Sequence, residues 1–149
     1  MATDSHLALP GLDVDPQAWW EEDALPFRAV VAAGVSMVML GPLSLPAWDA
    51  LPAALSPGAV RVLREDLGFG GMMVSDDLGL GALGARGPLE VVDPAVAAGT
   101  DRLLFVILHA APNVSIDQLA GRVESGVMSP ERVRERVARL LRMPLGRVA

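Results

Sequence analysis

Two short stretches hold residue types that can move protons or attack carbon. In the first, TDSH, Asp4 and His6 stand two residues apart. In the second, GGMMVSDD, an apolar run from Gly71 to Val74 stops at Ser75, Asp76 and Asp77. A carboxylate beside an imidazole can hydrogen-bond one ring nitrogen, fix the tautomer and raise the basicity of the ring, which suits His6 to general acid–base work. An ionised carboxylate at the end of a buried strand can act as a covalent nucleophile toward an oxocarbenium-like centre. Both stretches also have plainer readings. A histidine in a polar N-terminal segment is commonly inert, and Ser75 or Asp76 could simply cap a following helical turn. Two adjacent aspartates could instead hold Mg²⁺, which takes oxygen ligands, and Asp49 is the further carboxylate on offer from a neighbouring strand end. His109 ends an apolar run and reads as a structural or rim residue.

Other chemistries are excluded. The chain has no cysteine, so disulfide frameworks, thiolate metal sites and cysteine nucleophiles are ruled out. It contains no G-x-G-x-x-G, no P-loop and no G-x-S-x-G; GFGG lacks the spacing that cradles phosphate. A net charge of −6 argues against a nucleic-acid partner. The arginines of RVRERVARLLR alternate with apolar positions and read as the solvent face of a helix. No basic n-region and apolar h-region open the sequence. The longest apolar run, Val30 to Leu40, is broken by Gly34 and Ser36 and is too short to span a bilayer. The expectation is a soluble cytoplasmic protein with no membrane partner.

Something must hold these side chains in place. Hydrophobic residues make up 52% of the 149, aromatic residues only 4%. Such an Ala/Val/Leu-rich composition suits helices packed on buried parallel strands. AVVAAGVSMVML (29–40) and AVAAGTDRLLFV (95–106) share one grammar: a small-residue helix end, a glycine, a spacer and an apolar strand. Gly34 and Gly99 fall where a helix C′ glycine takes a left-handed conformation. The strands Met37–Leu40 and Leu103–Leu108 read as buried on both faces. Between them, Ser56 and Pro57 form an N-cap and first helical residue; AVRVLREDLGF continues that helix to Gly68, and Gly71–Val74 is the next strand. Leu25-Pro26 opens the first helix, Pro88 or Pro94 the third. Two amphipathic helices follow, from Ser115 to Gly126 and from the cap Ser129 to Arg142.

The predicted order is loop, α, β, α, β, α, β, α, α, an α/β arrangement of parallel strands with right-handed crossovers. In such folds the loops leaving the C-terminal strand ends carry the chemistry, and Asp49, Asp76, Asp77 and His109 all fall on those loops. Three strands leave two exposed sheet edges.

LPAALSPGAVRVLREDLGFGGMMVSDDLGLGAL resembles the nucleophile segment of glycoside hydrolase family 3, with its Leu-Ser pair, its helix ending Leu-Arg-x-x-Leu-Gly-Phe-x-Gly and its Ser/Thr-Asp-Asp. DALPFRAVVAAGVSMVML resembles that family's Pro-Phe-x-x-Ala-x-x-Ala-Gly helix and strand. TDSHLALPGLD resembles the Asp-Ser-His loop of the bacterial β-N-acetylglucosaminidase (β-hexosaminidase) branch. The motifs run in order across about residues 3 to 142. The resemblance implies a partial TIM (β/α)8 barrel: about the last three βα units, with parallel strands, plus C-terminal helices. Family members begin with about five more of the barrel's eight units, including a Lys-His-Phe-Pro-Gly-His-Gly motif with no counterpart here. Pro42 stands where many of them have histidine. The implied organisation is one incomplete barrel domain over 1–149, with an acid/base loop (1–24), three αβ units (25–110) and C-terminal helices (111–149).

What the resemblance implies for the site is a retaining glycosidase. Asp76 would be the nucleophile, His6 the acid/base, Asp4 the residue orienting it, and Asp77 a neighbouring substrate-binding support. No metal or other cofactor is implied. The implied substrate is a β-linked N-acetylglucosamine saccharide, as in cell-wall fragments and peptidoglycan recycling. A homo-oligomer or a partner chain would complete the barrel. The competing reading is a non-catalytic half-barrel remnant that acts as an oligomerising or interaction module.

Overall fold

The computed structural model describes residues 4–80, 83, 88–105 and 116–143. His109, the loop around it and the last residues of the strand expected to run to Leu108 lie outside the described residues. Strands β1 (Met37–Leu40), β4 (Met72–Asp77) and β5 (Arg102–Leu104) form a parallel sheet in the order β1-β4-β5. Met37 pairs with Met72 and Leu40 with Ser75. Helices α3 (Pro57–Arg61) and α4 (Pro88–Ala98) are the crossovers, and α2 (Ala24–Ala32) leads into β1. Val38, Leu40 and Met73 from the sheet pack against Val60, Leu63, Val91 and Ala95 from the crossovers. Burial of apolar area, worth about 25 cal/mol per Å², is what holds this layer on the strands.

The local signals behave as their chemistry requires. Ser56 Oγ accepts the Ala59 N–H at 3.0 Å, and Ser129 Oγ accepts that of Arg132 at 3.4 Å to open α6 (Pro130–Arg142). Gly34 has φ +79° and Gly99 φ +113°. At each, paired hydrogen bonds close a Schellman end: Gly34 N–H to Val31 O and Val35 N–H to Val30 O, then Gly99 N–H to Val96 O and Thr100 N–H to Ala95 O. Pro88, not Pro94, opens α4, and Pro94 lies within it.

Other expectations need correction. The N-terminal stretch expected as loop contains α1 (Pro16–Glu21), capped by Asp15 through the Gln17 N–H. The edge-on stacking of Trp19 against Trp20 and Trp48, centroids 5.0 Å apart in each pair, joins α1 to a small antiparallel hairpin. That hairpin, β2 (Ser44–Leu45) and β3 (Asp49–Pro52), occupies the loop after β1. The crossover helix ends in a π-helical turn, Val62–Asp66, rather than continuing as α. Strand β4 runs on through Asp77 instead of ending at Val74. Nor are the outer strands β1 and β5 buried on both faces: Met39 is 54% exposed and Leu104 37%, whereas Met72, Met73 and Val74 of the central strand are all buried.

The arginine run also departs from its reading as solvent face. Arg136 donates to Thr100 O (3.0 Å) and to Val96 O, and Arg132 donates to Ala97 O (2.9 Å). These carbonyls lie at and just past the C-terminal end of α4, where helix carbonyls run short of partners, so α6 is docked by capping α4. Arg139 and Arg64 both clasp the fully buried carboxylate of Asp101, which also accepts the Met73 N–H at 2.8 Å. Helix α5 (Ile116–Glu124), which precedes α6 in chain order, is tied to α4 by the Arg122–Asp93 ion pair.

Candidate active site

The site is built where β4 ends. Its apolar residues Met72, Met73 and Val74 are buried because β4 is the central strand. Against β1 the ladder is regular up to Ser75. Against β5 it is not: Val74 pairs with Arg102 but Asp77 with Leu104, so β4 carries one extra residue. A bulge of this kind bends a strand and re-aims a side chain, and bulges are frequent beside active sites. Ser75 sits in it with no exposed surface, and its Oγ accepts the Leu104 N–H at 2.9 Å. Pairing then resumes with the Leu78 N–H donating to Leu104 O at 2.9 Å. Ser75 therefore serves the sheet and does not cap a helix.

Asp76 and Asp77 leave this bulge half-buried. Asp76 Oδ1 accepts the Asp77 N–H at 2.7 Å, and Asp77 Oδ1 accepts the Gly79 N–H at 2.8 Å. The second contact is an Asx-type turn that bends the chain away after the strand.

The N-terminal loop is wound round Asp4. Its carbonyl accepts the N–H groups of Leu7 (2.9 Å) and Ala8 (3.0 Å). Its Oδ1 accepts the His6 N–H at 2.9 Å and lies 2.9 Å from His6 Nδ1. The bond from the His6 backbone N–H, followed by that from its ring, holds the Asp4 carboxyl below its ordinary pKa of 3.8. With Nδ1–H turned to the carboxylate, Nε2 is the nitrogen left to exchange a proton. The imidazole is 74% exposed.

Ser44 ties this loop to the sheet. Its N–H donates to Pro10 O (2.9 Å), its carbonyl accepts the Leu12 N–H (3.0 Å), and Gly11 bridges to it. Ser44 lies just beyond Leu40, the β1 residue paired with Ser75. The loop carrying Asp4 and His6 and the bulge carrying Asp76 are thus anchored at the same, C-terminal, end of the sheet. Asp4 and His6 are in contact; Asp76 and Asp77 come from a different element. Asp49 lies on β3 with its Oδ1 accepting the Leu51 N–H at 3.0 Å. Among the described residues, no three or more His, Asp or Glu side chains cluster as a metal site would need. The roles of Ser44 and Ser75 were not legible beforehand, since neither the backbone bonds of Ser44 nor a Ser75 hydroxyl that accepts a strand N–H leaves a periodic mark.

A parallel sheet with its ionisable groups on loops at the C-terminal strand ends is the arrangement of α/β proteins, βα-barrels among them. The chain belongs to glycoside hydrolase family 3: residues 1–143 match the family's model, described as the glycosyl hydrolase family 3 N terminal domain. It is 31% identical to a β-N-acetylglucosaminidase/β-glucosidase of Cellulomonas fimi, over 93% of this chain and 26% of that protein. It is 38% identical to a β-hexosaminidase of Vibrio cholerae, over 78% of this chain and 35% of that one. The structure of a family 3 β-N-acetylglucosaminidase from Paenibacillus sp. superposes with a TM-score of 0.84 at 35% identity, over 93% of this chain and 27% of that one. That of the Thermotoga maritima β-N-acetylglucosaminidase gives 0.79 at 28%, over 94% and 31%. The fold is accordingly part of a TIM-type barrel, and the chain spans roughly a quarter to a third of the length of these relatives.

Proposed function

We propose that this chain carries the catalytic groups of a retaining β-N-acetylglucosaminidase. His6 Nε2 gives a proton to the glycosidic oxygen as the bond from that oxygen to the anomeric carbon breaks. A carboxylate oxygen of Asp76 forms the new bond to that carbon. Water then attacks the glycosyl ester, His6 Nε2 takes its proton, and Asp76 leaves as carboxylate. Asp4 orients the imidazole, and Asp77 shapes the loop on which the sugar would rest. The substrate is a β-linked N-acetylglucosamine saccharide, with cell-wall fragments as its source. Within the domain, 1–24 serves as the acid/base loop, 25–110 as the αβ units and 111–149 as the C-terminal helices. No helix among the described residues is long and apolar enough to cross a membrane, and a cytoplasmic location is part of the proposal, checked by cell fractionation.

The observation that carries this reading is the 2.9 Å contact between His6 Nδ1 and Asp4 Oδ1. It supplies an acid/base at the same end of the sheet as Asp76, in a family whose relatives are named for this activity. The test is hydrolysis of 4-nitrophenyl N-acetyl-β-glucosaminide by the purified chain beside Asp76→Asn, with mass spectrometry to locate a trapped glycosyl group. Expected are turnover that the variant loses and a sugar adduct on the peptide holding Asp76. A folded wild-type chain without turnover or adduct would reject catalysis by this chain alone.

One observation favours the second reading, a half-barrel that associates without turning over substrate. Among the described residues β1 has no neighbour on its outer edge, and unpaired edges favour pairing with another chain. On that reading a second copy or a partner chain supplies the neighbouring strand.

A further inference from the structure

We infer that Ser75 is a positioning residue for Asp76, an inference resting on the reading of Asp76 as nucleophile. A bulge costs a ladder hydrogen bond: the extra residue on β4 puts the backbone carbonyls out of step with β5. The Leu104 N–H, part-buried in a residue that is 37% exposed, would then lose its ladder acceptor, and an unmade strand hydrogen bond costs stability. Ser75 Oγ takes that N–H at 2.9 Å, from a side chain with no exposed surface. Leu104 is fixed on its other side as well, its carbonyl accepting the Leu78 N–H at 2.9 Å. The two bonds hold the chain on either side of Asp76 and Asp77 against one residue of β5. The residue following Ser75 therefore has its backbone direction set by the hydroxyl. An alanine at this position would leave the donor unsatisfied, and the strand could recover it by sliding back into register. Such a slide would turn the Asp76 carboxylate away from the sheet end.

A misplacement on the order of 1 Å at a reacting group can cost about 100-fold in rate, so the hydroxyl matters although it touches no substrate. A merely structural Ser75 would change stability and leave the Asp76 carboxylate in its native surroundings.

The test compares Ser75→Ala, Ser75→Cys and Ser75→Thr in the full chain by NMR. Two readouts do not need turnover: amide hydrogen exchange at Leu104 and the ¹³C shift of the Asp76 carboxyl. Ser75→Cys keeps the volume with a weak acceptor and covers the case in which Ser75→Ala does not fold. Expected for Ala or Cys are exchange at Leu104 faster by at least about tenfold and a displaced Asp76 carboxyl signal, with Thr restoring both. Where the wild type turns over, kcat falls about 10- to 100-fold with KM little changed. An Asp76 carboxyl signal unmoved in a folded Ala or Cys variant overturns the inference, whether or not the wild type is active. Absence of turnover in the wild type bears only on the function proposed above.

Discussion

At the scale of single residues, the Asp4–His6 pair makes the sharpest demand. Asp4 is held by two bonds from one neighbour, so its charged form is favoured and its pKa lies below 3.8. A depressed carboxylate contributes its interaction at any pH above its unfolded value and loses it only as pH falls through the lower folded value. Near neutrality Asp4 is therefore ionised, and a ¹³C titration of its carboxyl should show a midpoint below 3.8. Any loss of activity on mild acidification must come from another group. Asp4→Asn keeps the shape but no longer presents an anion to Nδ1–H, and an amide can flip to offer its NH₂ instead. We expect kcat to drop about 10- to 100-fold, short of the roughly 10²–10⁴ at stake for His6→Ala. Equal kcat in wild type and Asp4→Asn would remove Asp4 from the mechanism. The chemistry-bearing types were legible in the sequence because TDSH and SDD are contiguous. The bulge that aims Asp76 was not, since it depends on how β4 meets a strand 28 residues away, Val74 against Arg102.

At the scale of elements, the two helix-ending glycines separate two costs that sequence alone merges. Both take φ values that a side chain disfavours. A Cβ on Gly34 would meet nothing within 4 Å, whereas one on Gly99 would sit 2.9 Å from Val60 Cγ1. Gly34→Ala should cost about 1 kcal/mol, the strain of a left-handed residue. Gly99→Ala adds a clash with a buried valine and should cost about 1–3 kcal/mol more. Chemical denaturation of the two variants checks the order, and equal costs would mean that α3 yields freely. Helix ends, caps and crossover order were readable because each is set within a few residues. The docking of α6 was not, because arginines that reach Thr100, Val96 and Asp101 look identical in sequence to arginines facing water. Burial lowers the pKa of Arg64, with Asp101 opposing, so that pair is desolvated. Asp101→Asn would leave Arg64 and Arg139 without their shared anion. We expect a loss of about 3 kcal/mol, the low end for a broken buried pair given that Arg139 still reaches water. That corresponds to a melting temperature lower by about 10 °C; a fall under 2 °C would show that the clasp is dispensable.

At the scale of the whole molecule, the unfinished sheet decides how the site is used. Among the described residues the three-stranded parallel sheet presents β1 at one edge, and Met39 on that strand is 54% exposed, with Phe27 and Val30 of α2 at 41% and 43%. Exposed edges beside apolar surface drive association. If association supplies the strands beside β1, it also brings side chains next to the loop of Asp4 and His6, so assembly and turnover should rise together. Sedimentation of the chain should show mass increasing with concentration, and specific activity should increase over the same range. Met39→Lys places a charge on the edge strand, a device that blocks strand addition. Its side chain already faces solvent, so stability should change by about 0.5 kcal/mol or less. The variant should sediment as a smaller species and, at matched concentration, lose activity together with mass. Activity that falls while mass stays unchanged would place Met39 at the sugar rather than at an interface. Mass that falls while activity per chain is kept would mean that these strands assemble a working site without a neighbour.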